Sequence, residues 1–266
     1  MAKVSIITIS YNNAKGLLRT IESVVSQTYT DYEYIIIDGG SSDNSKQIIE
    51  SFSDRITYWV SEPDKGVYHA MNKGIDVAKG EYLHFLNSGD SYAASDVLER
   101  TFTKEYSEPL LRGIQICDYG THQVRWANLG NREVTLYDMF VNTLLHQATF
   151  IRRDMFDKYG KYDETLKIVS DWKFFFQAIL GGERTAFLNF DIVLFEMEGI
   201  STNKSHGERH LEERRRVTKE LMPHNLLTDY ERLRLLEADA YIPKFVKSNK
   251  LIFFCFRVLY KVFGKK

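Results

Sequence analysis

The first ninety residues alternate strand-like and helix-like segments, and this alternation restricts the possible folds more than any other feature of the chain. Residues 4–9 form a largely apolar run, which is typical of a parallel strand buried on both faces. Apolar residues then recur at the spacing of one helix face, at Leu17, Leu18, Ile21, Val24 and Val25. Further strands are predicted at 34–37, 56–60 and 82–86, with a helix in each interval. Repeated βαβ units predict an α/β fold with a doubly wound, mostly parallel sheet.

A polar loop follows each of these four strands. The loops begin after Ile9, Ile37, Val60 and Leu86. The carboxyl ends of parallel strands meet at one edge of a sheet, where the ligands of open α/β sheets bind. The sequence therefore predicts one binding site built from four separate loops.

The third helix is expected to run from about Val67 to Gly80, with Gly80 as the C′ glycine that ends it. Asn72 and Gly74 interrupt this helix. A glycine inside a helix is costly, so this position indicates either close backbone packing or the approach of a ligand.

Beyond residue 90 the pattern is mixed. Strands are predicted at 109–119, 122–127, 146–151, near Ala186 and at 192–195, and helices at 170–180 and 208–221. The expected organisation is one α/β domain in two halves, residues 1–90 and 91–200, followed by a helical extension at 201–266.

The composition disfavours several classes of protein. Thirty-five Lys and Arg against 36 Asp and Glu give a net charge of −1, which disfavours nucleic-acid binding. Cys117 and Cys255 have no ligand-like spacing, so neither a disulfide framework nor a thiolate metal site is expected. The absence of a signal-peptide pattern and of a span-length apolar run predicts a cytoplasmic protein, at most touching the inner face of the membrane.

Asp38 follows three isoleucines at the tip of the second strand. Its carboxylate can accept a hydrogen bond from a ligand N–H such as that of uracil, or it can simply form a local turn or helix cap. With Ser10, Tyr11 and Asn12 at the neighbouring strand tip, a nucleobase slot becomes the favoured interpretation.

Asp90 ends the loop at 87–90 and can bind a hard divalent cation beside a diphosphate, because Mg²⁺ commonly takes one or two carboxylates and completes its shell with phosphate and water. The alternative is a cap for the helix near Val97. Asp64 lies in a polar turn that opens onto the same edge.

Asp171 begins a strongly apolar helix. A carboxylate there can simply favour the helix dipole, or among aromatic rings it can serve as a general base. His146 starts an apolar stretch, where a lone histidine is more often a buried structural residue than a catalyst.

Several segments, in this order and spacing, resemble the family 2 glycosyltransferases with the GT-A fold. They are residues 4–12, 37–43, 72–75, 78–82, 85–90, 146–150, 160–164 and 170–172. The resemblance implies a Rossmann-like, mostly parallel sheet with a small mixed sheet on the acceptor side and C-terminal helices. Residues 1–90 would then bind the nucleotide sugar and residues 91–200 the acceptor.

The resemblance also implies roles for single positions. Tyr11 and Asp38 match base-binding positions, Asp64 lies near the donor ribose and diphosphate, Asp90 matches the last acid of a metal-binding DxD-type motif, Asp171 matches the catalytic base, and His146 matches a position near the acceptor and diphosphate. Ser10, Asn12 and Asn72 are grouped with the donor-binding residues.

Two departures from the family pattern affect chemistry. Asn87 and Gly89 stand where further acids are usual, which weakens the expected metal site. Ser170 stands where a second acid often precedes the base, which leaves Asp171 as a single carboxylate.

The expected reaction is inverting transfer from a nucleotide sugar, with UDP as the preferred nucleotide and Mg²⁺ or Mn²⁺ as cofactor, to a hydroxyl of a glycan or lipid-linked acceptor in surface polysaccharide synthesis. One base acting by direct displacement inverts the anomeric carbon. The alternatives are a catalytically silent nucleotide-sugar binder or scaffold and a sugar nucleotidyltransferase. The latter would normally carry a Gly-rich phosphate loop after the first strand, where this chain has residues 10–13.

Residues 241–266 contain seven Lys or Arg and no acid, with apolar residues around Lys250, Arg257 and Lys261. The pattern favours either an interfacial helix on an anionic membrane surface or a helix that docks onto its own domain or onto a second subunit.

Overall fold

The computed structural model describes residues 1–196 and 207–263. The strands are β1 (Val4–Ser10), β2 (Tyr32–Asp38), β3 (Tyr58–Ser61), β4 (Tyr82–Phe85), β5 (Ser91–Tyr92), β6 (Leu110–Asp118), β7 (Gln123–Trp126), β8 (Thr149–Arg152) and β9 (Thr185–Glu196). The helices are α1 (Ala14–Val25), α2 (Ser45–Ser51), α3 (Val67–Val77), α4 (Val97–Phe102), α5 (Leu136–Val141), α6 (Asp154–Tyr159), α7 (Ser170–Leu180), α8 (Gly207–Leu221), α9 (His224–Ser248) and α10 (Lys250–Phe263).

The strands of the described residues form one mixed sheet in the order β3-β2-β1-β4-β8-β6-β9-β5, with β7 paired to β6. The first four strands are parallel, and β1 lies between β2 and β4 with Ser10 opposite Asp38. The predicted α/β fold with a mostly parallel sheet is therefore confirmed. The mixed part is continuous with the parallel part, because β8 pairs antiparallel with both β4 and β6.

The core lies on both faces of the parallel strands, which explains why these strands read as nearly uninterrupted apolar runs. On one face, α1 buries Leu17, Ile21 and Val24 completely against the sheet. On the other face, α3 packs directly on β1. A Cβ added at Gly74 would lie 2.5 Å from Cγ2 of Ile7, so close packing explains this glycine.

The third helix ends earlier than expected. It stops at Val77, and Gly80 is not its C′ residue. Gly80 instead lies against β1, where an added Cβ would be 2.5 Å from the backbone nitrogen of Ser5. Its own amide donates to Ser5 Oγ and to the buried Glu33 carboxylate. Gly80 is therefore needed because the segment before β4 passes close to β1, and not because it ends a helix.

The second half of the sheet also differs in detail. Residues 146–148 form a turn of 3-10 helix before β8, and the two short strands expected near 186 and 192–195 are one strand, β9. The paired strands β6 and β7 and the helix α7 lie where the sequence predicts them.

The chain divides into two compact units, residues 1–217 and 218–266. The second unit contains α9 and α10. Among the described residues, no helix has the length and apolar character required to cross a membrane.

Candidate active site

The tips of β1 and β2 are joined by side-chain hydrogen bonds. The Asp38 carboxylate is fully buried and accepts bonds from the backbone and hydroxyl of Ser41 and from the hydroxyl of Ser61. Asn12, whose φ is +49°, accepts from the Ser42 amide, while its own amide donates to Ser41 Oγ. The local-turn interpretation of Asp38 is thus realised, and these bonds fix two loops of the edge relative to each other.

Tyr11 and Asp64 face each other across Gly39. A Cβ at Gly39 would lie 3.2 Å from the Tyr11 ring and 3.2 Å from Asp64 Oδ2. Tyr11 is 68% exposed, so its ring is free to stack on a planar ligand. Asp64 is held by Lys73 at 2.6 Å and by His69 at 3.1 Å, both from α3.

Asp90 is buried beside a second carboxylate that sequence reasoning missed. Its Oδ1 accepts a 3.3 Å bond from the backbone amide of Glu196, at the end of β9. Burial, with a smaller contribution from the Glu196 charge, raises the pKa of Asp90 to about 8, although the hydrogen bond from the Glu196 amide and the Arg19 charge act in the opposite direction. Arg19 forms a 2.5 Å ion pair with Glu196 and also donates to the Gly89 carbonyl. The alternative interpretation of Asp90, as a cap for the helix near Val97, is wrong, because the residue directly before this helix, α4, is Asp96.

Oxygen atoms without partners gather at this edge. Ser10 Oγ, Asn87 Oδ1 and Ser88 Oγ are buried and make no hydrogen bond. Buried polar atoms are rarely left unpaired without a reason. Together with the carboxylates of Asp90 and Glu196, they are hard oxygen donors of the kind that Mg²⁺ or Mn²⁺ prefers.

Within residues 1–196 and 207–263, no three His, Cys, Asp or Glu side chains form a metal-binding group. This arrangement is compatible with a cation that takes most of its ligands from a diphosphate and water.

Asp171 lies in the first turn of α7, as predicted, and is partly exposed. Its Oδ1 accepts a 2.9 Å bond from the hydroxyl of Tyr68 in the first turn of α3. The same hydroxyl lies 2.7 Å from the carbonyl oxygen of Ile168. Since α3 also carries the partners of Asp64, one helix connects Asp64 with Asp171.

Helix α8 contacts the start of α7 at two places. Glu213, only 9% exposed, accepts bonds from the amides of Lys167, Ile168 and Val169 at 2.9, 3.0 and 3.3 Å. The Arg214 guanidinium lies 4.3 Å from the centre of the Trp172 ring. Burial lowers the pKa of Arg214 to about 10, although Asp171 acts in the opposite direction. Helix α8 therefore supports the segment that carries Asp171.

Two further predicted site residues, Asn72 and His146, are held by contacts with the loop near residue 162. Both donor hydrogens of the Asn72 amide are used, by the Tyr162 carbonyl and the Glu164 carboxylate, and its Oδ1 accepts from the Tyr162 amide. His146 is 5% exposed, bonds to the Tyr162 hydroxyl and stacks on Phe85. Burial lowers the pKa of His146, although the Asp171 charge acts in the opposite direction. These contacts give Asn72 and His146 the role of holding the loop near residue 162 against the core.

Residues 5–160 match the model of a known family, described as glycosyl transferase family 2. The chain belongs to this family. Among its relatives, an uncharacterized glycosyltransferase of Mycobacterium tuberculosis is 34% identical over 184 residues, covering 66% of this chain and 69% of the relative. The PGL/p-HBAD biosynthesis glycosyltransferase of Mycobacterium bovis is 33% identical over 175 residues, covering 64% and 67%.

Solved structures show the same fold. Residues 1–349 of TarS from S. aureus, in complex with UDP-GlcNAc, give a TM-score of 0.64 at 21% identity, covering 76% of this chain and 61% of that one. The mannosyltransferase PcManGT from Pyrobaculum calidifontis, with GDP-Man and Mn²⁺, gives 0.57 at 14% identity, covering 80% and 60%. This chain spans about three fifths of those chains. The GT-A fold expected from the sequence is confirmed.

Sequence reasoning missed Glu196, Tyr68, Glu213 and Arg214. Glu196 carried a usable signal, because it ends an apolar strand in the same way as Asp38 does. Tyr68 and Glu213 carried none, since a tyrosine in a helix and a glutamate in a charged helix are ordinary surface or core residues until their neighbours are known.

Proposed function

We propose that this family 2 glycosyltransferase transfers a sugar from a nucleoside-diphosphate sugar to an acceptor hydroxyl with inversion of the anomeric carbon. The observation that carries the proposal is that Asp38 ends β2, and Asp64 and Asp90 lie in the loops after β3 and β4, at the same edge of the sheet, with Asp171 connected to that edge through α3. Residues 1–90 would bind the donor, and residues 91–200 would bind the acceptor.

In this proposal the nucleobase stacks on the exposed Tyr11 ring near Asp38. The diphosphate lies beside Asp90, and Glu196 and Asn87 supply further oxygens to a divalent cation. Bound there, Mg²⁺ or Mn²⁺ would offset the negative charge that develops on the leaving diphosphate. Arg19 can neutralise charge at the same place from the protein side.

Asp171 acts as the general base. The acceptor O–H bond breaks, its proton moves to Asp171, and the oxygen bonds to the anomeric carbon. The bond from that carbon to the diphosphate oxygen breaks, and its electron pair leaves with the nucleoside diphosphate. A single displacement of this kind inverts the configuration.

The acceptor proposed here is a hydroxyl of a glycan or lipid-linked oligosaccharide, as in surface polysaccharide synthesis. The name of one relative, a PGL/p-HBAD biosynthesis glycosyltransferase, supports a biosynthetic role. UDP is the preferred nucleotide, supported by the solved TarS complexes with UDP and UDP-GlcNAc.

We further propose that α10 binds anionic membrane surface. Several of its apolar side chains are exposed, including Leu251 at 72%, Phe254 at 65% and Leu259 at 55%. Lys250, Arg257 and Lys261 on the same helix are exposed too. An exposed apolar helix with basic residues is typical of interfacial binding, and each basic residue adds about 1 kcal/mol near anionic lipid.

The test of the catalytic proposal is a panel of UDP-, GDP- and dTDP-sugars, with and without Mn²⁺, read by thermal stabilisation and by release of the nucleoside diphosphate with water as acceptor. One nucleotide sugar should stabilise the protein and be hydrolysed slowly. Binding without any release would favour the silent-binder alternative.

The Asp171→Asn variant should lose release by a factor of about 10²–10⁴, because that is the usual contribution of a general base. Its affinity for UDP should stay within about twofold of the wild-type value by calorimetry. The exposed Asp157 on α6 provides a matched control, Asp157→Asn, which should behave as wild type. Loss of UDP binding in Asp171→Asn would contradict the base role.

A further inference from the structure

The segment 167–171, which leads into Asp171, is held between two helices. On one side Glu213 of α8 accepts its three successive amides. On the other side the hydroxyl of Tyr68, a residue only 6% exposed, contacts both the Ile168 carbonyl and Asp171 Oδ1. The backbone amides of this segment are thus bound by Glu213 of α8, whereas the Ile168 carbonyl is bound by Tyr68 of α3.

The Tyr68 hydroxyl has one hydrogen but two acceptors in reach, at 2.7 and 2.9 Å. It cannot donate a full hydrogen bond to both at once. Burial raises the pKa of Tyr68 well above its usual value, and the Asp171 charge raises it further, so the hydroxyl keeps its proton. Which acceptor receives that proton depends on their relative negative charge.

We propose that Tyr68 positions Asp171 and that its hydroxyl proton follows the charge of this carboxylate during transfer. The inference rests on the proposed function. While Asp171 is charged, Tyr68 donates to Oδ1 and leaves Oδ2 for the acceptor hydroxyl. Once the acceptor's proton is on Oδ2, Oδ1 is a neutral carbonyl oxygen and a weaker acceptor. The Tyr68 hydrogen then turns to the Ile168 carbonyl.

This arrangement orients the base without opposing its protonation. A hydroxyl with Asp171 as its sole acceptor would lose most of its bond when the carboxylate becomes neutral, and a poorly satisfied buried hydroxyl is costly. The Ile168 carbonyl removes that cost. The carboxylate is therefore fixed in the reactive geometry and still free to accept a proton.

The other groups that interact electrostatically with Asp171 are His146, Tyr162, His210 and Arg214. They come from the 3-10 turn before β8, the loop after α6, and α8. The Tyr68→Phe change alters none of them, so a shift in pH dependence would report on the Tyr68 hydroxyl alone.

The experiment compares Tyr68→Phe with wild type, using the nucleotide sugar that the wild type hydrolyses fastest and water as acceptor. We expect kcat to fall about 10- to 100-fold, as for loss of a hydrogen bond to a charged group. KM for the donor and the calorimetric affinity for UDP should change less than twofold. The pH profile of kcat should differ from that of the wild type, because the Tyr68 hydroxyl no longer donates to Asp171.

The matched control is Tyr82→Phe, which removes another buried tyrosine hydroxyl whose acceptor is a backbone carbonyl, that of Glu108. It should lose similar stability on urea unfolding and keep the wild-type kcat and pH profile. An unchanged kcat and pH profile in Tyr68→Phe, with wild-type release intact, would overturn the role of Tyr68 alone. Absence of release in the wild type with every nucleotide sugar would overturn the proposed function and this inference with it.

Discussion

At the scale of single residues, the site contains carboxylates whose burial does not stabilise the folded protein. Asp90 is only 5% exposed and lies beside Glu196, and burial raises its pKa to about 8. Ionisation of a buried carboxyl group destabilises the folded chain. Its place beside unpaired oxygens is therefore better explained by ligand binding than by packing.

The Asp90→Asn change should stabilise the protein in the absence of metal. The folded pKa of about 8 lies above the unfolded value of 3.8, so the wild type loses stability as pH rises through this interval and regains it on acidification. The variant should gain on the order of 1–3 kcal/mol at pH 8, and this gain should vanish near pH 4. Urea unfolding at both pH values measures it.

In the same variant, Mn²⁺ with UDP should no longer raise the melting temperature, whereas it should do so in the wild type. The exposed Asp157→Asn protein is again the control and should keep the metal response. If Asp90→Asn is less stable than wild type at pH 8, the buried carboxylate stabilises the fold and this interpretation is wrong.

At the scale of elements, α8 supports the start of α7, although both helices lie beyond the family match at 5–160. Glu213 satisfies three amides that precede α7, and Arg214 covers Trp172. Three amides left without an acceptor would each seek water or another partner, and the segment carrying Asp171 would loosen.

Glu213→Ala should therefore reduce nucleoside-diphosphate release more than tenfold and lower stability by about 1–3 kcal/mol. UDP affinity should be nearly unchanged, because the donor loops lie on other elements. Glu213→Gln, which keeps one acceptor oxygen, should recover part of the rate. The neighbouring Glu212 is exposed, and Glu212→Ala should match wild type in release and in urea unfolding. Equal rates of nucleoside-diphosphate release in Glu213→Ala and Glu212→Ala would show that α8 does not support the site.

At the scale of the whole molecule, the basic and apolar α10 predicts where the enzyme acts. In the full chain, changing Lys250, Arg257 and Lys261 to Glu should release the protein from vesicles of phosphatidylcholine with phosphatidylglycerol. Neither protein should bind pure phosphatidylcholine strongly, because the basic residues respond to anionic lipid. Cosedimentation measures both.

The control for this experiment introduces the same change in net charge elsewhere, by changing the exposed Lys46, Lys79 and Lys104 to Glu. That protein should still bind anionic vesicles. Equal binding by the wild type and the α10 variant would exclude the membrane proposal. A variant that instead changes its mass in light scattering would indicate that α10 contacts a second subunit.

The spacing of apolar residues predicts most of the parallel half of the fold and the sheet edge at which its loops meet. Apolar periodicity predicts strands β1 to β4, helix α7 and the position of four polar loops. The spacing of apolar residues along the chain depends on whether an element is buried on one face or on both. The sequence also singled out Asp38, Asp90 and Asp171, and the structure puts Asp38 at the end of β2, Asp90 in the loop before β5 and Asp171 in the first turn of α7.

Which side chains lie together depends on contacts between segments that are far apart in the chain. Glu196 lies 106 residues from Asp90, Tyr68 lies 103 residues from Asp171, and Gly80 meets Ser5 across 75. The contacts of Asn72 and His146 are also between distant segments, since their partners lie near residue 162. A local pattern fixes which face of an element is buried, but a contact between distant segments depends on how the elements pack, and packing is a property of the whole chain.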